Sequence, residues 1–322
     1  MKLILVICLF FIRVHGDFTA KNCYESTNDD DMCLYMSSFN KVYAHKDEYL
    51  ERKKSVTQKM HHLQKSSPLT KYALNAISDR TFHPNTKLKS KSPVVGTHVK
   101  RLNSYSLPLT LDLRDKLPSI KDQGNCGSCY IFAGVAVLEY YAGVSISEQK
   151  IMDCSSSENG PSYGCDGGWP ENVFEYAKKA PVVLEKTQPY QEQNNPCNQT
   201  CSGSVVQVKR YGSLDMEKDP DSELRIPYIL NQYGPVVVAI DVGTTELLMS
   251  YQEGVFPGIA CGKEVDHAVT IVGYTEDYWI VRNSWSEEWG DNGYFYLERG
   301  VNACGVAETI SYISSVKNSL QI

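Results

Sequence analysis

The most constraining feature of the sequence is a short stretch at residues 123–129, Gln-Gly-Asn-Cys-Gly-Ser-Cys, which leads directly into the apolar residues 130–138. No proline interrupts residues 130–141 and Gly143 supplies a stop, so the pattern predicts a buried helix whose first turn holds Cys129. A thiol there faces backbone N–H groups without helical partners and the positive end of the helix dipole. Both favour the thiolate, which is the form of cysteine that attacks carbonyl groups.

Other interpretations of this stretch remain open when it is taken alone. Cys126 and Cys129 have the spacing of a CxxC metal-binding or redox pair, and they are equally compatible with two thiols in a protein core. The choice depends on the rest of the chain, because a catalytic thiolate needs a base, an orienting partner for that base and donors for an oxyanion.

Candidates for these partners lie far downstream. Residues 265–274 alternate as a strand and place His267 near its start, 138 positions after Cys129. Residues 278–285 predict a second strand that brings Asn283 behind the histidine. Singly, His267 suits a core position and Asn283 a turn. Together with Cys129 at this separation, they are typical of nucleophilic catalysis by a cysteine.

With these motifs the chain resembles the papain family of cysteine peptidases, of the cathepsin type, in the form of a secreted precursor. The supporting motifs extend from about residue 34 to residue 307. The resemblance implies an α+β fold of two lobes, one helical and one barrel-like, preceded by a helical propeptide. Helical patterns come before strand patterns in the chain, which agrees with an α+β protein or two subdomains. The substrate cleft is then the seam between the lobes.

The resemblance also implies the role of each catalytic residue. Cys129 is the nucleophile and His267 its proton partner, held as a thiolate–imidazolium pair. Asn283 orients the imidazole, and Trp285 shields that hydrogen bond from water. Gln123 offers its side-chain amide, with the Cys129 backbone N–H, to the oxyanion. The implied activity is that of an endopeptidase without cofactor or metal, since no insertion carries paired histidines as in carboxydipeptidase relatives.

Substrate-binding residues follow from the same resemblance. Gly167 and Gly168 match glycines whose backbone lies along an extended substrate, although paired glycines alone indicate no more than a turn. Trp169 borders the pocket for the residue two positions before the scissile bond. The other implied substrate contacts are Ala239, Asp266, Ala268 and Thr309. Small uncharged residues in the second pocket predict a preference for a bulky apolar side chain.

The start of the chain predicts export. Residues 1–16 hold a short apolar run after Lys2 and have the pattern of a signal peptide, too short to span a bilayer. The product is expected to enter the secretory pathway and to be secreted or lysosomal. Export makes disulfides possible, and the chain contains 11 cysteines.

Charge divides the rest of the chain. Residues 17–101 contain 15 Lys and Arg against 9 Asp and Glu, whereas residues 102–322 contain 15 against 29. The resemblance implies a removable inhibitory propeptide, which we place at 17–105, and a mature peptidase domain at 106–322. The opposite charges suggest that the two parts attract each other, and we expect release when acid protonates carboxylates. A charged helix is predicted from residues 39–43 through Glu48 and Arg52. Val56, Lys59 and Ala73 depart from the family pattern, and a solvated helix with a linker is the alternative.

Disulfide pairing is implied by the resemblance alone. It joins Cys126 to Cys165, Cys261 to Cys304, and Cys154 to either Cys197 or Cys201. Cys23 and Cys33 are then left to pair within the propeptide. Asn198 begins the only Asn-x-Thr glycosylation triplet that we find.

Two departures touch the site: Tyr130 stands where the family usually has Trp, and Ser286 where it usually has Gly. The alternative functions are a catalytically weak papain-like binding or decoy protein and a redox or zinc protein built on Cys126 and Cys129. No nucleotide-binding motif is found, and no basic cluster on residues 106–322 suggests nucleic acid. The expected partners are peptide substrates and the chain's own propeptide, on a monomer with no membrane span.

Overall fold

The computed structural model describes residues 18–20, 23, 30–63, 70–75, 77–80, 107–155, 163–197, 205–243 and 247–318. Within these residues the helices are α1 (Asp30–Ser38), α2 (Lys46–Leu63), α3 (Cys129–Ala142), α4 (Glu148–Ser155), α5 (Pro170–Lys179) and α6 (Ser222–Tyr233). The strands are β1 (Thr70–Tyr72), β2 (Leu111–Asp112), β3 (Val206–Asp215), β4 (Val236–Ile240), β5 (Tyr251–Phe256), β6 (His267–Tyr274), β7 (Tyr278–Arg282), β8 (Tyr294–Glu298) and β9 (Thr309–Asn318). The predicted α+β class is confirmed.

The strands form one sheet in the order β1-β5-β8-β7-β6-β4-β9-β3, with β2 paired to β6. Strand β6 is buried along its whole length, with β4 on one side and β7 on the other. The β half has its own apolar core, which includes Val238, Trp279 and Phe295. This sheet carries the first residue of β6 to the surface that meets the helical half.

Helix α3 is the centre of the helical half and confirms the prediction from residues 130–141. It is buried from Cys129 to Glu139 and ends at Gly143, whose φ of 69° is the left-handed conformation that favours glycine at this position. The Gly143 N–H donates to the Glu139 carbonyl at 2.7 Å. Thr270 of β6 donates its hydroxyl to the Ala133 carbonyl of α3 at 3.1 Å, so the helix lies directly against the sheet.

The segment before residue 107 has a small core of its own, around Tyr35, Met36, Tyr43, Tyr49 and Val56. The prediction of a helix through residues 39–43 is wrong. Asn40 has φ 51°, which ends the first helix, and Tyr43 bridges to Phe18 instead. The helix begins at Lys46, and it does contain the predicted Glu48–Arg52 ion pair at 3.5 Å.

Four disulfides join Cys23 to Cys33, Cys126 to Cys165, Cys154 to Cys197 and Cys261 to Cys304. Cys126 is thereby committed to Cys165, which is incompatible with a CxxC pair formed with Cys129. The predicted signal peptide, the boundary near residue 105, Asn198 and Cys201 all lie outside the described residues. Among the described helices, none has the length and apolar character needed to cross a membrane.

Candidate active site

Cys129 is the first residue of α3, and its side chain lies in the seam between that helix and β6. It is 2% exposed. Burial raises the pKa of the Cys129 thiol to about 11, against the opposing effect of the backbone N–H of Ala268, which is close enough to hydrogen-bond the sulfur. Ala268 directly follows His267. The Cys129 sulfur therefore lies beside the backbone of the residue that follows His267, although Cys129 and His267 are 138 positions apart in sequence.

His267 is the first residue of β6 and is buried. Its Nε2 atom lies 2.9 Å from Oδ1 of Asn283. Burial lowers the pKa of the imidazole to about 4, although the Asn283 hydrogen bond acts in the opposite direction. Burial therefore disfavours the charged form of both the thiol and the imidazole in this closed site, and so opposes the thiolate–imidazolium pair that the resemblance implies.

Asn283 is held in place by the end of β7. Its backbone N–H donates to the Gly293 carbonyl at 3.0 Å, and its Oδ1 also accepts from the Ser284 N–H at 2.9 Å. Trp285 stacks on the imidazole of His267 with ring centroids 4.8 Å apart and planes 26° apart. Trp289 meets Trp285 edge-on at 5.0 Å. An aromatic pair therefore packs against the imidazole that contacts Asn283.

Gln123 precedes α3 by six residues and faces the same seam. Its Nε2 donates to the Cys126 carbonyl at 3.0 Å, while its Oε1 accepts from the Ser284 hydroxyl at 2.6 Å. The Gln123 backbone N–H also donates to the Ser284 carbonyl at 2.9 Å. Because the Ser284 hydroxyl donates to Oε1, the Gln123 amide is held in one of its two flipped orientations. Sequence reasoning missed Ser284, although it stands between Asn283 and Trp285.

Local geometry that the sequence did not reveal explains why Gly167 and Gly168 are glycines. Gly167 has φ 101°, a conformation that side chains rarely adopt. A Cβ atom on Gly168 would lie 2.6 Å from the ring of Tyr130. The Tyr130 hydroxyl donates to the Gly164 carbonyl at 3.2 Å, so this ring is fixed beneath the glycine loop. Trp169 follows and is 7% exposed.

The residues predicted for the second specificity pocket lie along neighbouring strands. Ala239 of β4 is paired with Ala268 of β6, and Thr309 begins β9, which also pairs with β4. Asp266 is different, because its carboxylate accepts the backbone N–H groups of Val242 and Gly243, each at 2.9 Å. Burial raises the pKa of Asp266 to about 6. Its carboxylate is thus engaged in holding the end of β4.

A buried group of charges supports the loop that precedes Gln123, and nothing in the local sequence pattern indicates it. Lys121 Nζ lies 2.7 Å from Glu139 Oε1 and 2.8 Å from Glu148 Oε1. The opposite oxygen of Glu139 is 3.8 Å from Arg282, the residue before Asn283. Burial raises the pKa of Glu148 well above its usual range, although Lys121 opposes this. This charge cluster links both halves beneath the site.

Comparison with known proteins agrees with this geometry. Residues 107–314 match the family described as papain family cysteine protease. A pro-cathepsin H of Medicago truncatula is 38% identical over 233 residues, which are 67% of this chain and 64% of that protein. A cysteine protease of Blomia tropicalis is 31% identical over 300 residues, or 85% and 89% of the two chains. Digestive procathepsin L 3 from the larval midgut of Tenebrio molitor superposes with a TM-score of 0.76 at 27% identity, covering 89% of this chain and 99% of that one.

Proposed function

This chain belongs to the papain family of cysteine proteases, and from that premise we propose that it is a cysteine endopeptidase made as an inactive precursor for the secretory pathway. One observation carries the proposal. The sulfur of Cys129 lies at the backbone N–H next to His267, and His267 is in turn hydrogen-bonded to Asn283 at 2.9 Å. This arrangement supports the proposed roles of Cys129 as nucleophile, His267 as base and Asn283 as the residue that orients the base.

The proposed reaction begins when the site is open to water and the proton of the Cys129 thiol passes to His267. The thiolate attacks the carbonyl carbon of the substrate peptide bond, forming a carbon–sulfur bond and an oxyanion. His267 then gives its proton to the departing amine, and the carbon–nitrogen bond breaks. Water, deprotonated by His267, attacks the thioester and releases the acid product and the free thiol.

Gln123 and the Cys129 backbone N–H are the proposed donors for the oxyanion. One Nε2 hydrogen of Gln123 is engaged by the Cys126 carbonyl, and the amide carries a second. Ser284 fixes the amide orientation, so this donor is organised before the substrate binds. Asn283 and Trp285 keep the imidazole in one orientation through the hydrogen bond and the stacking contact.

Substrate recognition is proposed along the glycine loop and the neighbouring strands. An extended peptide would run along the backbone of Gly167 and Gly168, where the φ of Gly167 and the Tyr130 ring exclude side chains. Trp169, Ala239, Ala268 and Thr309 would form the pocket for the second residue before the cleaved bond, and Asp266 would hold the strand end beside it. The small side chains favour a bulky apolar residue in the substrate.

Residues 17–105 are the proposed inhibitor. Strand β1 adds to the edge of β5 in antiparallel register, and Thr70 donates to the Val255 carbonyl at 2.8 Å. Asn75 donates to the Met249 carbonyl at 2.9 Å. Such strand addition is a common mode of peptide binding. We propose that Cys129 and His267 remain buried in the closed site for as long as this segment is attached.

Lys59, one of the departures from the family pattern, takes part in this segment. Its buried ammonium group donates to Ser55 Oγ at 3.0 Å, to the Ser78 carbonyl at 2.9 Å and to the Arg80 carbonyl at 2.8 Å. Helix α2 is thereby tied to the turn that ends at Arg80. Arg80 itself pairs with Asp122, the residue before Gln123.

The function is tested by peptide hydrolysis after the N-terminal segment has been removed from the full-length precursor. The wild-type product should cleave peptides with an apolar side chain two positions before the cleaved bond, whereas Cys129→Ser should be inactive and Gln123→Ala slower by about 10²–10³ in kcat. Hydrolysis that survives Cys129→Ser would refute the proposal. Export is tested separately, by secretion of the chain with and without residues 1–16 and by glycosidase treatment for a glycan at Asn198.

A further inference from the structure

Tyr190 is not one of the proposed catalytic residues, yet its hydroxyl contacts both ends of the loop from Gln123 to Cys129. The hydroxyl donates to the Gln123 backbone carbonyl at 2.9 Å. The same oxygen lies 2.7 Å from the hydroxyl of Ser128, the residue before Cys129. With the Tyr190 proton directed to Gln123, Ser128 is the donor in the second contact. One phenol oxygen therefore connects the two residues that flank the loop.

Ser128 is the N-cap residue of α3, and its behaviour there is unusual for a serine. A serine at this position ordinarily accepts a hydrogen bond from the second or third backbone N–H of the helix, here Tyr130 or Ile131. The Ser128 side chain makes no capping bond, and the residue is fully buried. Its hydroxyl is turned instead toward Tyr190.

The orientation of the Ser128 hydroxyl is important because the N–H groups at the start of α3 also face the Cys129 sulfur. The backbone N–H groups of Tyr130 and Cys129 are among the groups that favour the thiolate form of Cys129. A Ser128 hydroxyl that turned inward to cap Tyr130 would compete with the sulfur for that N–H. The helix would gain a cap, and the thiolate would lose a donor.

Tyr190 is well placed to prevent this, because it is anchored independently of the loop. Its ring packs edge-on against Phe132 with centroids 4.8 Å apart, and its backbone N–H donates to Glu185 Oε1 at 2.9 Å. The next residue, Gln191, donates from its backbone to the side chain of Gln149 on α4 at 2.8 Å. Burial raises the pKa of Tyr190, so the phenol remains a proton donor.

We propose that Tyr190 is a positioning residue for the catalytic loop, which holds the Gln123 backbone and keeps the Ser128 hydroxyl from capping α3 at the N–H groups that face Cys129. This inference rests on the proposed function and adds a residue that acts through Gln123 and Ser128 without touching substrate.

The test compares processed wild-type enzyme with Tyr190→Phe, which keeps the ring and removes only the hydroxyl. Two quantities are measured: the pH dependence of Cys129 alkylation by iodoacetamide, followed by mass spectrometry of the peptide containing Cys129, and kcat and KM for a peptide substrate. Tyr190→Phe should move the acid limb of alkylation upward by about half to one pH unit, the effect of one capping bond. It should lower kcat about tenfold with KM changed less than twofold, because Gln123 loses an anchor.

A double variant separates this proposal from a general loss of structure. In Tyr190→Phe with Ser128→Ala no hydroxyl can cap the helix, so the acid limb should return to the wild-type position while kcat stays low. Ser128→Ala alone should leave the acid limb unchanged. If Tyr190→Phe fails to fold, Ser128→Ala alone still tests the proposal, because a shifted acid limb in that variant would contradict it. Tyr176→Phe is the matched control, since its hydroxyl donates to the Pro181 carbonyl at 3.1 Å away from the loop.

The charged surroundings stay the same in all these variants. Among the described residues, the charged and titratable groups around Tyr190 and Cys129 include two cations, Lys121 and Arg80, and also Asp122, Glu148, Glu185, Glu192, Asp266 and His267. Three results would overturn the inference. The first is an acid limb and a kcat in Tyr190→Phe that both match wild type. The others are an acid limb that stays shifted in the double variant and a shifted acid limb in Ser128→Ala alone. Failure of the wild-type enzyme to hydrolyse peptides or to be alkylated at Cys129 would count against the proposed function instead.

Discussion

Arg80 of the N-terminal segment forms a two-pronged ion pair with Asp122, the residue immediately before Gln123. Nη1 lies 2.7 Å from Oδ1, and Nη2 lies 2.7 Å from Oδ2. Asp122 Oδ1 also accepts from the Gly124 N–H at 2.9 Å, so the pair is built into the catalytic loop. The two side chains are 21% and 34% exposed, which leaves the pair only partly screened by water.

Removing this ion pair should loosen the precursor. We expect Arg80→Ala to weaken inhibition by the separately added N-terminal segment about fivefold, equivalent to about 1 kcal/mol for a partly exposed bidentate pair. The measurement is the inhibition constant of wild-type and variant segments on the processed enzyme. Lys71→Ala is the matched control, because the Lys71–Glu253 pair is 73% and 58% exposed and should change the constant less than twofold. Equal effects of the two variants would contradict this account.

Ser286 should be a site of backbone strain. It has φ 77°, in the region that favours glycine. We expect Ser286→Gly to stabilise the full-length chain by about 0.5–1 kcal/mol, reduced by loss of the Glu288 N–H bond to its hydroxyl. Urea unfolding measures the change. Ser286→Ala keeps the Cβ atom and loses the hydroxyl, so it should give no gain; stabilisation by alanine as large as that by glycine would refute the strain.

Lys121 should be essential to the charge cluster beneath the site. Lys121→Met removes the cation that lies against Glu139 and Glu148 and leaves buried carboxylates without that partner. We expect the free energy of unfolding of the full-length chain to fall by about 3–5 kcal/mol. Lys178→Met is the control, since Lys178 is 46% exposed and its pair with Glu175 is long at 3.8 Å, and it should cost less than about 0.5 kcal/mol. A loss below about 1 kcal/mol at Lys121 would contradict the assigned role.

The protonation state of His267 should change when the precursor is processed. Burial lowers its pKa to about 4 in the full-length chain, so the imidazole should be neutral at every pH above about 5. In the open enzyme we expect a thiolate–imidazolium pair, in which the imidazole stays protonated through pH 7. Nitrogen NMR of labelled histidine, assigned with His267→Gln, follows the titration in both forms. A His267 that titrates near pH 6.5 in the precursor would show that the buried state described here is wrong.

Much of this architecture follows from local pattern. The apolar run after Cys129 and the stop at Gly143 define α3, and alternation places His267 at the start of β6. The strand predicted over residues 278–285 is shorter than expected, since it ends at Arg282, just before Asn283. These features depend on helix and strand periodicity, which acts over a few residues. The error at residues 39–43 has a local origin as well, because the left-handed Asn40 interrupts a pattern that otherwise suits a helix.

What the sequence could not predict are contacts that depend on the packing of distant elements. The hydrogen bond from Ser284 to Gln123 joins positions 161 apart, and the hydrogen bond from Tyr190 to Gln123 joins positions 67 apart. Neither residue has a local pattern that marks it. The effect of burial was also hidden, because burial disfavours the charged forms of Cys129 and His267, whereas the helix dipole considered alone favours the thiolate.

Covalent labelling of the processed enzyme with a peptidyl halomethyl ketone, read by intact mass and peptide mapping, tests most directly whether Cys129 is a nucleophile activated by His267. We expect one adduct, on the Cys129 sulfur, which is absent in Cys129→Ser and forms far more slowly in His267→Ala at pH 6. An adduct on any other residue, or labelling at the same rate without His267, would contradict it.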